Sequence, residues 1–113
     1  MHEMSIAQRI LEVIEEQAQS RGFNRVTQVW LEIGPLALID QSALRFSFSA
    51  IIGETCAAGA RLTIIDLPGE AVCQRCGMKV AIQQHYTPCP QCNAYSLQVS
   101  CGDEMRIKEL EVA

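Results

Sequence analysis

The stretch CQRCGMKVAIQQHYTPCPQC, residues 73–92, opens and closes on paired cysteines: Cys73-Gln74-Arg75-Cys76 and, after twelve intervening residues, Cys89-Pro90-Gln91-Cys92. Each Cys-x-x-Cys pair closes a tight knuckle presenting two thiolates, and two knuckles complete a tetrahedron. Gly77 and Asn93 each follow the second cysteine of a knuckle. There the backbone tends to turn through a left-handed conformation, which these two residue types tolerate. Pro90 stiffens the second turn. The reading is a structural Zn(2+) site on Cys73, Cys76, Cys89 and Cys92; four protein ligands leave no open position, so the metal folds its loop and does no catalysis. Haem attachment would need histidine directly after a pair, where Gly77 and Asn93 stand. A thioredoxin-like site needs one redox pair beside a βαβ unit, which two matched pairs around a turn-rich insert do not resemble. An iron–sulfur centre also uses four thiolates and stays open, as do disulfides.

The flanking chain is patterned for one small domain around this insert. The whole chain, 113 residues with 49% apolar content, suffices for a core. No run approaches the ~18 apolar residues of a membrane span, and His2 and Glu3 stand where a secretory signal would be basic then apolar. A cytoplasmic protein is expected, without membrane association. The cysteine usage agrees with a reducing compartment. A net charge of −4 argues against nucleic-acid binding, which depends on clustered lysine and arginine. Between Cys73 and Cys92 lie the basic residues Arg75, Lys79 and His85, with no acid.

Helical spacing of Ala7, Ile10, Leu11, Ile14 and Ala18 behind a capping-box pattern at Ser5 and Gln8 predicts an amphipathic helix over 5–20, stopped at Arg21-Gly22. Alternation predicts a strand over 25–33, with Trp30 on the more polar face, packed under a neighbour or offered to a partner. Gly34-Pro35 breaks it. A second helix is predicted over 41–53, capped by Asp40 and apolar around enough of its circumference to be well covered. Strands follow at 61–67, at 79–82 and 97–99 within the insert, and at 105–112, where a change of apolar phase suggests a bulge near Lys108 or Glu109. The expected fold is α+β: a three-stranded sheet packed with two helices, interrupted by a small four-cysteine zinc ribbon. The boundaries place the α/β domain at 1–69 plus 101–113 and the ribbon at 70–100.

His2 is a second candidate ligand. A terminal amine, the following backbone nitrogens and an imidazole can chelate one ion, and an all-nitrogen set favours square-planar Ni(II) or Cu(II). The residue after Met1 is not small, so Met1 is expected to remain. The plain alternative is a solvated residue on a frayed end. Cys56 and Cys101 read as ordinary thiols. No serine–histidine pairing or phosphate-cradling glycine loop is present, so no enzyme is expected.

Met1-His2-Glu3 with Ser5, Val29-Trp30-Leu31-Glu32-Ile33-Gly34, the two cysteine knuckles and Ile107-Lys108-Glu109-Leu110-Glu111 together resemble the HypA/HybF family of nickel-insertion factors for hydrogenase maturation, over essentially the whole length. The resemblance implies a metallochaperone with a nickel-binding domain and a structural zinc ribbon. It places transient Ni(2+) on His2, with backbone nitrogens of His2 and Glu3, and makes Asp40 a weaker oxygen ligand, though helix capping explains Asp40 better. It implies a maturation GTPase of the same pathway and a nickel–iron hydrogenase large subunit as partners, leaving urease as recipient and a homodimer open. Members often carry histidine beside a knuckle where this chain has Asn93, which weakens any exchange of cysteine for histidine at zinc; His85 is a poor substitute. The competing reading is a zinc-ribbon interaction adaptor that handles no nickel.

Overall fold

A computed structural model describes residues 3–113. Two helices and six strands follow in the order α1 Glu3–Arg21, β1 Val26–Ile33, α2 Gln41–Ile51, β2 Arg61–Asp66, β3 Glu70–Cys73, β4 Lys79–Ala81, β5 Leu97–Cys101 and β6 Met105–Val112. They make two three-stranded sheets, ordered β2-β1-β6 and β4-β3-β5. The chain divides into two compact units: one runs through Leu31, then Ile39–Ile64 and Ile107–Ala113; the other takes Glu32–Leu38 and Ile65–Arg106.

In the first unit α1 buries Ile6, Ala7, Ile10 and Ile14, a stripe at 3.6-residue spacing, and packs against α2, which buries Leu44, Ser47 and Phe48. Each isoleucine, leucine or phenylalanine side chain among them taken fully out of water contributes about 1.5–3 kcal/mol. Ser5 is not the expected cap: α1 already includes Glu3, so Ser5 lies inside the helix on its exposed side. An acidic residue in the first turn suits the helix dipole. The other end is as expected, with Gly22 at φ 76 and its amide 2.9 Å from Ala18 O. Asp40 does cap α2, its Oδ1 accepting from Ala43 N at 3.0 Å. That helix is less covered than its composition suggests, because Phe46 is 74% exposed.

From Gln28 to Ile33 the expected alternation holds, with Val29, Leu31 and Ile33 buried and Gln28, Trp30 and Glu32 half-buried, but at the start of β1 it fails, Val26 being buried and Thr27 half-buried. Trp30 therefore has neither a fully packed nor a fully open side. Gln28 Nε2 meets Thr63 Oγ1 at 2.6 Å, and Leu67 N meets Ile33 O at 2.9 Å. These contacts advance together along both strands, so β1 and β2 are parallel, and α2 supplies the crossover that parallel neighbours require. Against β6 the contacts run in opposite order, Ala113 N to Arg25 O and Arg106 Nε to Glu32 Oε1, so that pair is antiparallel. β6 runs unbroken, its exposure alternation slipping a step at Lys108 and Glu109, both exposed.

The second unit has a smaller core of Leu36, Ala71, Val80 and Ile82, with Leu97 and Val99 packed against it. β3, which sequence periodicity does not reveal, is its central strand: Ala71 pairs with Val80 on one side and Val99 on the other. Three glycines pack here backbone to backbone. A Cβ on Gly34 would lie 2.0 Å from Gly102 O, one on Gly102 2.5 Å from Gly69 Cα, and one on Gly69 2.4 Å from Ile82 O. Gly102 also has φ 111, which side chains rarely adopt. Leu36 N bonds Gly102 O and Ile82 N bonds Gly69 O, at 2.8 and 2.9 Å.

Candidate metal centre

The two knuckles are built alike. In each, the first cysteine's carbonyl accepts from the amide four residues on, Gly77 N to Cys73 O and Asn93 N to Cys89 O, both at 2.8 Å. In each, the first cysteine's amide donates to the carbonyl five residues on, Cys73 N to Met78 O and Cys89 N to Ala94 O, both at 2.9 Å. Gly77 at φ 77 and Asn93 at φ 60 supply the left-handed turns. This repetition is why a local sequence pattern suffices to announce the site.

The four sulfurs lie within 4.8 Å of one another. Cys73 and Cys92 are 3.6 Å apart and Cys76 and Cys89 3.7 Å. Metal–sulfur bonds of about 2.3 Å in a tetrahedron set edges of about 3.8 Å, so the cage fits one ion. A disulfide needs about 2.05 Å, and all six cysteines are free. A polynuclear iron–sulfur cluster carries its own iron and sulfide atoms between the thiolates and needs a wider cage than this. The four thiolates are thus brought together as the spacing predicts, and the donor set is compatible with a zinc ribbon.

Burial within the cage is uneven. Cys73 and Cys89 are buried, Cys92 is half-buried and Cys76 is exposed. The Ser96 hydroxyl, and next the Cys76 amide, hold the Cys73 thiol down to about 6 from an ordinary 9.0. Backbone amides, that of Cys92 foremost, lower Cys89. The Met78 amide pulls Cys76 down, but desolvation and the neighbouring sulfurs Cys73, Cys89 and Cys92 outweigh it and leave Cys76 at about 11. The cage is therefore prepared to ionise at its buried corners. Ser96 is the residue that sequence reasoning missed; it lies outside both motifs, and only the pairing of β3 with β5 brings it to Cys73.

His85 does not join the cage: its Nε2 sits 2.9 Å from Leu36 O. Cys101 Sγ lies 3.7 Å from Glu70 Oε1, where burial and then Glu70 push its thiol up. Burial, then Glu15, raises Cys56.

Of the residues singled out for nickel, His2 lies outside the described residues. Glu3 and Asp40 are brought together: Glu3 Oε2 accepts from Asp40 N at 3.1 Å, while the Asp40 carboxylate caps α2. Glu3 is half-buried and Asp40 exposed.

Residues 1–112 match the family described as "Hydrogenase/urease nickel incorporation, metallochaperone, hypA". A hydrogenase maturation factor HypA from Azotobacter chroococcum mcd 1 is 56% identical over 99% of each chain, and one from Azotobacter vinelandii is 54% identical with the same coverage. The solution structure of the Ni metallochaperone HypA from Helicobacter pylori aligns with a TM-score of 0.69 at 25% identity, covering 99% of this chain and 97% of that one. A second solution structure of a HypA protein aligns at 0.70 and 27%, covering 100% and 97%.

Proposed function

The chain belongs to the HypA family of nickel-incorporation metallochaperones, hydrogenase maturation factors and not enzymes, and from that premise we propose that it binds Ni(II) through His2 and hands it to a nickel–iron hydrogenase large subunit. The imidazole of His2 and the backbone nitrogens of His2 and Glu3 form the donor set, which suits square-planar Ni(II). Asp40 is a secondary oxygen donor. The observation that carries this reading is the bond from Asp40 N to Glu3 Oε2, which holds the residue next to His2 in sequence against the start of α2.

Delivery requires a site that can let go. One imidazole and backbone nitrogens can be dismantled by protonation or by a competing ligand. Four thiolates release far less readily, and Cys73, Cys76, Cys89 and Cys92 would hold Zn(II) as a structural staple for a unit whose own apolar core is small. The nickel domain is residues 1–69 plus 101–113 and the zinc ribbon 70–100. Handover would involve the maturation GTPase of the same pathway, in the cytoplasm, with no role for nucleic acid; no helix among the described residues is long and apolar enough to cross a membrane.

His2→Ala tests the proposal. Calorimetric titration with nickel should lose its heat, while metal analysis still finds one zinc per chain and circular dichroism is unchanged. Nickel affinity that survives His2→Ala would refute the site and favour the zinc-ribbon adaptor.

A further inference from the structure

Cys73 is held differently from the other three cysteines. Its sulfur lies 3.5 Å from Ser96 Oγ and 3.4 Å from Cys76 N. Ser96 is itself anchored, its carbonyl accepting from Gln74 N at 2.8 Å, and the next residue, Leu97, is the register partner of Cys73 across β3 and β5. The hydroxyl is therefore carried to the sulfur by backbone pairing on both sides of the cysteine. Ser96 is half-buried, whereas Cys76 faces solvent. Among the described residues Cys73 is the one cage cysteine whose sulfur is within hydrogen-bond distance of a side-chain oxygen.

We propose that Ser96 is a positioning residue of the metal centre, its hydroxyl donating an O–H···S hydrogen bond to the Cys73 thiolate and thereby retaining the ion at that corner. The inference rests on reading the four cysteines as a metal site. Four thiolates on a divalent ion leave an excess of negative charge on sulfur, and a neutral donor aimed at one of them draws density away from it without competing for the metal. A sulfur so engaged is a poorer target for protons and electrophiles, and its rotamer is fixed before the ion arrives. Metal loss then begins at the exposed Cys76 side and not at Cys73. Serine at this position is a second anchor of the ribbon that no cysteine spacing reports.

The test compares the full-length wild-type protein, Ser96→Ala and Ser96→Thr, each loaded with zinc, by transfer of the metal to a colorimetric chelator. Outer-shell partners of metal ligands are worth about 10- to 100-fold in metal retention. Ser96→Ala should release zinc about tenfold faster, and Ser96→Thr, which keeps the hydroxyl, should stay within about twofold of wild type. Cobalt(II) substitution gives a spectroscopic readout: the thiolate-to-metal charge-transfer band should move to lower energy in Ser96→Ala and return in Ser96→Thr. A Ser96→Ala protein that fails to load metal while Ser96→Thr loads normally also supports the proposal. Wild-type release and wild-type cobalt bands in Ser96→Ala overturn it, as does Ser96→Thr behaving like Ser96→Ala. Failure of the wild-type chain itself to take up zinc or cobalt would instead overturn the four-thiolate reading, and the Ser96 inference with it.

Discussion

Asp40→Ala separates two roles that one carboxylate can combine. The Asp40 Oδ1 bond to Ala43 N, at 3.0 Å, satisfies an amide that has no acceptor inside α2. Losing an N-cap of this kind costs about 1 kcal/mol, and because α2 buries Leu44 and Phe48 the loss is transmitted to the core. Over a chain of this size that is a fall in melting temperature of about 4 °C. Asp40→Asn retains a capping oxygen and should lie within a few tenths of a kcal/mol of wild type. Urea titration followed at 222 nm gives the stabilities, and nickel calorimetry on the same proteins gives the ligand role. If capping is the main task of Asp40, Asp40→Asn keeps both stability and nickel affinity. Asp40→Ala as stable as wild type would refute the capping argument. A stable Asp40→Asn that no longer binds nickel would promote Asp40 from secondary donor to required ligand.

Gly34→Ala should be destabilised by about 3 kcal/mol or more, since its Cβ would meet a backbone oxygen that cannot swing away; urea midpoints of the zinc-loaded protein check this, and a midpoint unchanged from wild type would refute the close approach. Removing the metal with a strong chelator should lower the stability and the protease resistance of the ribbon while leaving the 222 nm helical signal of α1 and α2 largely intact, and re-addition of zinc should restore both. In the metal-free protein, stability should fall as pH is lowered from about 9 to about 6. Cys73 and Cys89 ionise more readily folded than unfolded, so their contribution is complete above the ordinary thiol value and disappears as pH drops through the folded one. Cys76 is shifted the other way, and its opposing contribution is lost only as pH rises from about 9 towards about 11, outside that window. Urea midpoints flat from pH 9 to 6 would contradict this.

The cysteine cage was legible because its geometry is local: two bonds within six residues, repeated, fix each knuckle, and Gly77 and Asn93 mark the turns. The helices and β1 were legible through period, with errors where period is silent. Ser5 looks like a cap, yet α1 takes in Glu3; Phe46 looks like core by type, yet it points to solvent. β3 is four residues long with no alternation to count, and becomes a strand only because β4 and β5 flank it. The contact of Gly34, Gly69 and Gly102 was invisible for the same reason, as was Ser96: each depends on segments that only the folded chain brings together. Backbone pairing at long range leaves no local pattern.

The placement of Glu3 bears on how nickel could be held at the beginning of a helix without unfolding it. The first four amides of an α-helix have no acceptor within it. Glu3 opens α1 among the described residues, so its N–H belongs to that unsatisfied set. A metal that displaces this proton and takes the nitrogen as a ligand breaks no helical hydrogen bond, and so costs α1 nothing in its ladder. The Glu3 side chain is engaged elsewhere, on Asp40 N, which leaves its main chain as the part available for coordination. A net hydrogen bond of that kind contributes only about 0.5–1.5 kcal/mol, or somewhat more for a charged acceptor. It can therefore steady the position of Glu3 without making release of an ion prohibitive. The thiolate cage shows the opposite design: its amides and the Ser96 hydroxyl act to keep Cys73 and Cys89 ionised and in place. A carrier needs both kinds of site, one that holds its shape permanently and one whose every bond is weak enough to be exchanged.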